Sequence, residues 1–161
     1  MSNQIILSRV GADDPIVNIV APSGVKNGNL IVLGAQNDTT KVYAAAANGA
    51  ITDKSFALVM AVPLPYGAEK TENEYEIATS EVVRAFIPVV GRVYSFPVAN
   101  VKAAPASAVA KGKYLFPDAA ALPMDCNTAV GGTESVAFYI DEVFTKAGVS
   151  MVKARCIKNV G

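Results

Sequence analysis

The chain of 161 residues contains no histidine and only two cysteines, Cys126 and Cys156, which narrows its chemistry at once. Histidine is the commonest general base, proton shuttle and zinc ligand, so neither a Cys–His nucleophile nor a Cys–His metal site can be assembled. Carboxylates remain: Asp13-Asp14, Asp141-Glu142, and the group Glu69, Glu72, Glu74 and Glu76. Glycoside hydrolysis needs two carboxyl groups roughly 5–10 Å apart across a sugar. Neighbours on a strand point to opposite faces, so Asp141 and Glu142 cannot form that pair by themselves. Glu72, Glu74 and Glu76 share one face of an extended segment, where like charges repel and water is the natural partner. The same group, or Asp13-Asp14 with Asn18, offers oxygen ligands for calcium, yet no EF-hand spacing accompanies them. No G-x-S-x-G elbow, P-loop or dinucleotide fingerprint occurs, and Gly131-Gly132-Thr133 reads as a turn. Asn37-Asp38-Thr39 matches a glycosylation sequon but is better read as turn chemistry after Leu33. The expectation is a protein with no catalytic residues, no cofactor and no metal.

Composition points the same way. Charged residues are 17% of the chain, against a usual value of about 25%, and apolar residues are 52%. The 26 alanines explain part of this. The rest suggests a surface covered by another protein, the alternative being a well-packed monomer with small surface residues. No apolar run reaches the roughly 20 residues of a membrane-spanning helix, so no membrane partner is expected. Net charge is zero, and Lys153, Arg155 and Lys158, the densest basic group, alternate with apolar residues as on a strand face. Binding to nucleic acid through phosphate neutralisation is therefore not expected. The first nine residues lack the features of a signal peptide, which predicts maturation in a cytoplasm with reduced, buried cysteines. A Cys126–Cys156 disulfide is the alternative.

Elements that must position these residues are short and punctuated by Gly, Pro and Asn. Strands are predicted at residues 16–20, 29–33, 55–62, 114–116, 135–144 and 149–157, with Asn27-Gly28 as a turn. Residues 41–47 suit either a strand or one helical turn, and 103–110 read as an alanine-rich connector. Residues 81–90 and 92–98 are predicted to form a hairpin bent at Gly91, with Pro88 and Pro97 placing it at a sheet edge or bulge. No sustained apolar pattern appears at helical spacing. The fold class expected is mainly β, a single-domain β-barrel or β-sandwich with at most short helices. Residues 1–22 form an N-terminal arm or first strands, and residues 23–161 form the β domain. Residues 23–32 and 107–116 echo one another, as do 56–62 and 138–144. This divides the domain into two related β units, 23–98 and 107–161, unless turn chemistry recurs by chance.

Ile5, Ile6, Leu7 and Arg9 are the candidate interface residues. Ile5-Ile6-Leu7 is read either as a first strand of the same sheet or as an arm that pairs with a neighbouring subunit by strand addition.

Residues Val25-Lys26-Asn27-Gly28-Asn29-Leu30-Ile31-Val32 lead into a strand, and alanine-rich loops join the short strands. In these features, and in size, the chain resembles the head decoration (capsid cement) proteins of tailed bacteriophages. The resemblance implies a β-barrel or sandwich that binds the major capsid protein on the outside of an assembled capsid. It also implies self-association, frequently as a homotrimer, stabilisation of the virion against internal DNA pressure, and synthesis in the host cytoplasm. Another phage structural subunit, such as a tail-tube, fibre or shell component, is the first alternative. A carbohydrate-binding β-sandwich is the second, although the chain has no Trp and only Tyr43, Tyr66 and Tyr75 fall in predicted loops.

Overall fold

The computed structural model describes residues 15–46, 55–61, 76–102, 108–118 and 121–160, and the backbone of Ile6 and Leu7. The protein is mainly β, as the rhythm of short apolar runs predicts. Its strands are β1 (Ile6–Leu7), β2 (Ile16–Val20), β3 (Leu30–Gln36), β4 (Val42–Ala46), β5 (Phe56–Val59) and β6 (Val82–Phe86). They continue with β7 (Val93–Pro97), β8 (Tyr114–Asp118), β9 (Ala121–Asn127), β10 (Val136–Lys146) and β11 (Val149–Asn159). A 3-10 turn, Val98–Asn100, follows β7. The ambiguous segment after Lys41 is a strand, and β9 has no counterpart among the predicted elements. Residues 47–54, 62–75 and 103–107, which include most of the alanine-rich connector, lie outside the described residues.

Two sheets result. Strands β2, β4, β3, β5 and β6 close in that order into a barrel, with β2 and β4 parallel. Strands β1, β7, β11, β10, β8 and β9 form a six-stranded antiparallel sheet. The alternation of β5 and the two residues after it explains how they join. Phe56, Leu58 and Met60 point into a core shared with Phe96, Leu115, Phe138 and Ile140 of the sheet. Ala57, Val59 and Ala61 point into the barrel with Ile19, Ile31, Val83 and Ala85. Both faces of β5 are buried, which is why it reads as one continuous apolar run. A barrel of eight strands is just wide enough to be filled by side chains, so one of five strands has room for little more than alanine, valine and isoleucine. The alanines of β5 and β6 are a packing requirement.

The predicted hairpin between residues 81–90 and 92–98 does not form. Strand β6 already has β2 and β5 as neighbours. Beyond Phe86 the chain passes Pro88 and turns at Gly91, whose φ is +88°. There Gly91 N donates to Cys156 O at 2.8 Å, and Cys156 N donates to Arg92 O at 2.8 Å. These bonds commit β7 to β11, so the chain crosses from barrel to sheet here. Neither is β7 an edge strand, since β1 flanks its other side. Pro97 closes the strand, past the two residues that β1 pairs.

The sequence echo has a geometric counterpart. Gly28 N donates to Val59 O at 2.9 Å, Val59 N to Asn29 O at 2.9 Å, and Asn29 N to Lys26 O at 3.0 Å. Gly112 N donates to Ile140 O at 2.9 Å, Ile140 N to Lys113 O at 2.8 Å, and Lys113 N to Ala110 O at 3.3 Å. Both glycines hold positive φ, +89° and +87°. The turn–strand–partner unit occurs once in the barrel and once in the sheet. The barrel ends at Phe86, so β7 belongs with the C-terminal strands and not with residues 23–86.

A buried polar seam locks the two layers. Asn27 Nδ2 donates to Ala61 O at 2.9 Å, and Ala61 N donates to Asn27 Oδ1 at 2.7 Å. Asn100, on the 3-10 turn of the sheet layer, donates from Nδ2 to Asn27 O at 2.8 Å, and Asn29 Nδ2 reaches Asn100 O at 3.3 Å. These bonds tie barrel to sheet, although Asn100 Oδ1 is buried in the seam without a hydrogen-bond partner.

Candidate docking surface

The acidic residues do not converge on a catalytic site. Asp141 is the extra residue of a β-bulge in β10, and its carboxylate takes a hydrogen bond from Arg155 at 3.0 Å. Glu142 faces Lys153 at 3.9 Å. Glu76 is exposed, while Asp13, Asp14, Glu69, Glu72 and Glu74 lie outside the described residues. Among the described residues no three His, Cys, Asp or Glu side chains cluster closely enough to hold a metal ion. At the sequon, Asn37 Oδ1 accepts from the backbone N–H groups of Thr39 and Thr40, both at 2.9 Å, and so shapes the β3–β4 turn. Tyr43 packs against the barrel interior rather than in a loop, and Tyr66 and Tyr75 lie outside the described residues.

The backbone of Ile6 and Leu7 pairs with Ser95 and Tyr94 of β7 in the same chain, as a first strand of the sheet. Ile5 and Arg9 lie outside the described residues.

The cysteines are separate. Cys156, Phe138, Leu115 and Cys126 stand in one row across β11, β10, β8 and β9. Three strand spacings of about 4.8 Å keep the thiols roughly 14 Å apart, twice the reach of a disulfide. Both are free. Burial pushes the Cys156 thiol up to about 11 and raises that of Cys126 as well.

Glu134 is the one carboxylate among the described residues that is buried. Burial pushes its pKa up, but backbone N–H groups of Glu134, Gly131 and Gly132, together with Lys158, outweigh this and hold it below the usual 4.5. Gly131 N donates to Oε1 at 3.0 Å, and Lys158 Nζ donates to Gly132 O at 3.0 Å, so the carboxylate organises the loop before β10. A lowered folded pKa contributes stability that is complete above the unfolded value and is lost as pH falls through the folded one. Glu134→Gln is therefore expected to lower stability at neutral pH and to flatten its decline below pH 4.5. Urea midpoints measured across that range check it.

What the structure displays most clearly is apolar surface. On the barrel wall formed by β4, β2 and β6, alternation sends Val17 and Ile19 inward and leaves Ile16, Asn18 and Val20 outside. Val20 stands directly opposite Val82 on β6, and both are exposed, Val82 by 57%. Ile16 is also exposed. Arg84, opposite Asn18, is the single charged residue in this pairing of β2 with β6. Beside it lies a groove of about 590 Å³ lined mainly by small or uncharged residues, among them Val20, Pro22, Val42, Ala44 and Ser80. A second group, Val89, Val90, Ile157 and Val160, is exposed where the β6–β7 corner meets the end of β11. Exposed aliphatic residues grouped with polar surroundings are candidates for protein-binding surface. The outer face of the sheet differs: Tyr114 and Tyr139 meet edge to face at 5.4 Å, and Arg155 covers Tyr139.

Ile16, Val20 and Val82 were not singled out from sequence. The signal was present in Ile16-Val17-Asn18-Ile19-Val20, which is apolar in both alternating rows although the barrel interior needs only one. Against protein-family models, curated proteins and solved structures, the chain finds no match.

Proposed function

We propose that this chain is a structural virion protein that binds the outer surface of a phage capsid and stabilises it through many protein–protein contacts. The observation that carries the reading is the sparsely charged barrel wall, where Val20 and Val82 stand paired and exposed, with Ile16 exposed further along β2 and Arg84 the one charged residue of the β2–β6 pairing. Large aliphatic side chains held in that position by a closed barrel cost solvation free energy unless a partner covers them. The proposed partners are the major capsid protein and further copies of the chain, assembled as a homotrimer. In a shell, each copy repeats the same modest contact, and repetition turns weak single contacts into firm attachment. No residue is assigned to catalysis. The rigid body suits the role: barrel and sheet share one core, so force on the docking face is carried through the whole domain.

Adding purified protein to undecorated heads of the same phage tests this. Saturable binding at a fixed number of copies per head supports it. Self-polymerisation into tubes points instead to a tail-tube subunit, and no binding at saturating protein contradicts the proposal.

A further inference from the structure

We propose that the outer edge of β10 from Glu142 to Lys146 pairs with the same edge of a second copy of this chain, around a two-fold axis at Phe144. The β10–β11 hairpin is longer than the sheet that supports it. Strand β8 covers β10 only at Phe138 and Tyr139, and the last bonds between them link Ile140 to Lys113 and Gly112. From residue 142 to 146, β10 keeps β11 on one side, in register from Glu142–Lys153 to Lys146–Val149. Among the described residues no strand lies on its other side. The tip is fully in solvent: Thr145, Lys146, Ala147 and Gly148 are all exposed. An edge of this kind offers a row of free N–H and C=O groups to any strand that can match it.

The occupant follows from the charges. Glu142 and Lys146 lie two residues before and two residues after Phe144, with opposite sign and both exposed. In an antiparallel pairing centred on Phe144, Glu142 of each copy faces Lys146 of the other, Phe144 faces Phe144, and Val143 faces Thr145. Side chains directly opposite across such a ladder are about 5 Å apart at Cβ, within reach of both the ion pairs and the ring pair. A parallel pairing in the same register sets Glu142 against Glu142 and Lys146 against Lys146, which repel. Exposed ion pairs contribute little affinity, so main-chain bonds and the Phe144 contact hold the two copies while the charges select the register. Asp141, already held by Arg155, stays outside the pairing. The contact with Lys153 at 3.9 Å is long and exposed, and leaves Glu142 free to meet a closer partner. An interface that uses the same patch on both copies is the commonest way for identical chains to associate. The pairing involves this chain alone and stands whether or not a capsid is its partner.

A charge swap tests it. Sedimentation equilibrium of the wild type, Glu142→Lys, Lys146→Glu and the double variant reads the pairwise association. Each single variant places like charges opposite one another twice and is expected to weaken association roughly tenfold or more. The double variant restores opposite signs and is expected to recover it. A wild type that never associates in pairs, or a double variant no better than the singles, overturns the proposal. The register has its own test: Phe144→Cys should form an intermolecular disulfide on mild oxidation and Thr145→Cys should not, and equal cross-linking by both overturns it. Assembly through the barrel wall would persist in all three charge variants, so failure of this pairing and failure of the capsid reading are told apart.

Discussion

Gly28→Ala should be among the most damaging single-methyl additions to this protein, lowering stability by about 2–5 kcal/mol, as the sum of backbone strain and overpacking. Two effects coincide at Gly28. Its φ of +89° suits glycine and strains any residue with a Cβ. A Cβ built there would also lie 2.6 Å from two atoms of the Phe96 side chain, closer than real contacts allow. Phe96 is fully buried in the shared core, so its ring has nowhere to retreat. Gly24 supplies the control. Its φ is +74°, but nothing lies within 4 Å of its Cβ position. Gly24→Ala carries strain alone, and a loss of about 1 kcal/mol is expected. Urea unfolding of the two variants measures the difference. Equal losses would mean that the barrel does not rest on Phe96 in the way described.

Asn27→Ala is the second large effect. The Asn27 side chain satisfies both backbone groups of Ala61, and all of these atoms are buried. Truncation leaves an N–H and a C=O without partners, and each orphan costs about 1–3 kcal/mol, so a total of about 2–6 kcal/mol is expected. Asn27→Asp refines this. A carboxylate still accepts from Ala61 N but sets a second oxygen against Ala61 O, so the ionised form is disfavoured in the folded protein. Its stability should be reduced at neutral pH and should partly recover as acid protonates the group. Chemical denaturation at two pH values checks both statements.

Much of the fold was legible because local turn chemistry and tertiary structure agree. Asn27-Gly28 announces the turn before β3, and Phe56 to Ala61 announces a strand buried on both faces. The sequence could not show which layer receives each strand. Residues 81–98 look like a hairpin because a glycine separates two apolar runs, yet β6 closes the barrel and β7 opens the sheet. That decision rests on Cys156, whose backbone captures the turn from more than sixty residues away. Strand β9 was missed because Leu122-Pro123-Met124-Asp125 carries a proline and a charge, which an edge strand tolerates. The proposed docking wall was legible only in part. Ile16 to Val20 shows two apolar rows, but which row faces solvent is settled by barrel closure. Of the acidic residues conspicuous in sequence, Asp141 holds local structure and Glu76 is exposed, whereas Glu134, which nothing in the sequence singles out, organises the loop before β10.

The proposed function depends on one face of the barrel meeting other protein. Val82→Glu puts a carboxylate on that face, directly opposite Val20, at a position already open to water, where substitutions usually change stability by no more than about 0.5 kcal/mol. The number of copies retained on undecorated heads, compared with wild type at equal urea midpoint, is the direct measure. Loss of most bound copies by a variant that folds normally is the expected result. Undiminished binding would place the contact elsewhere and leave the exposed valines without a role.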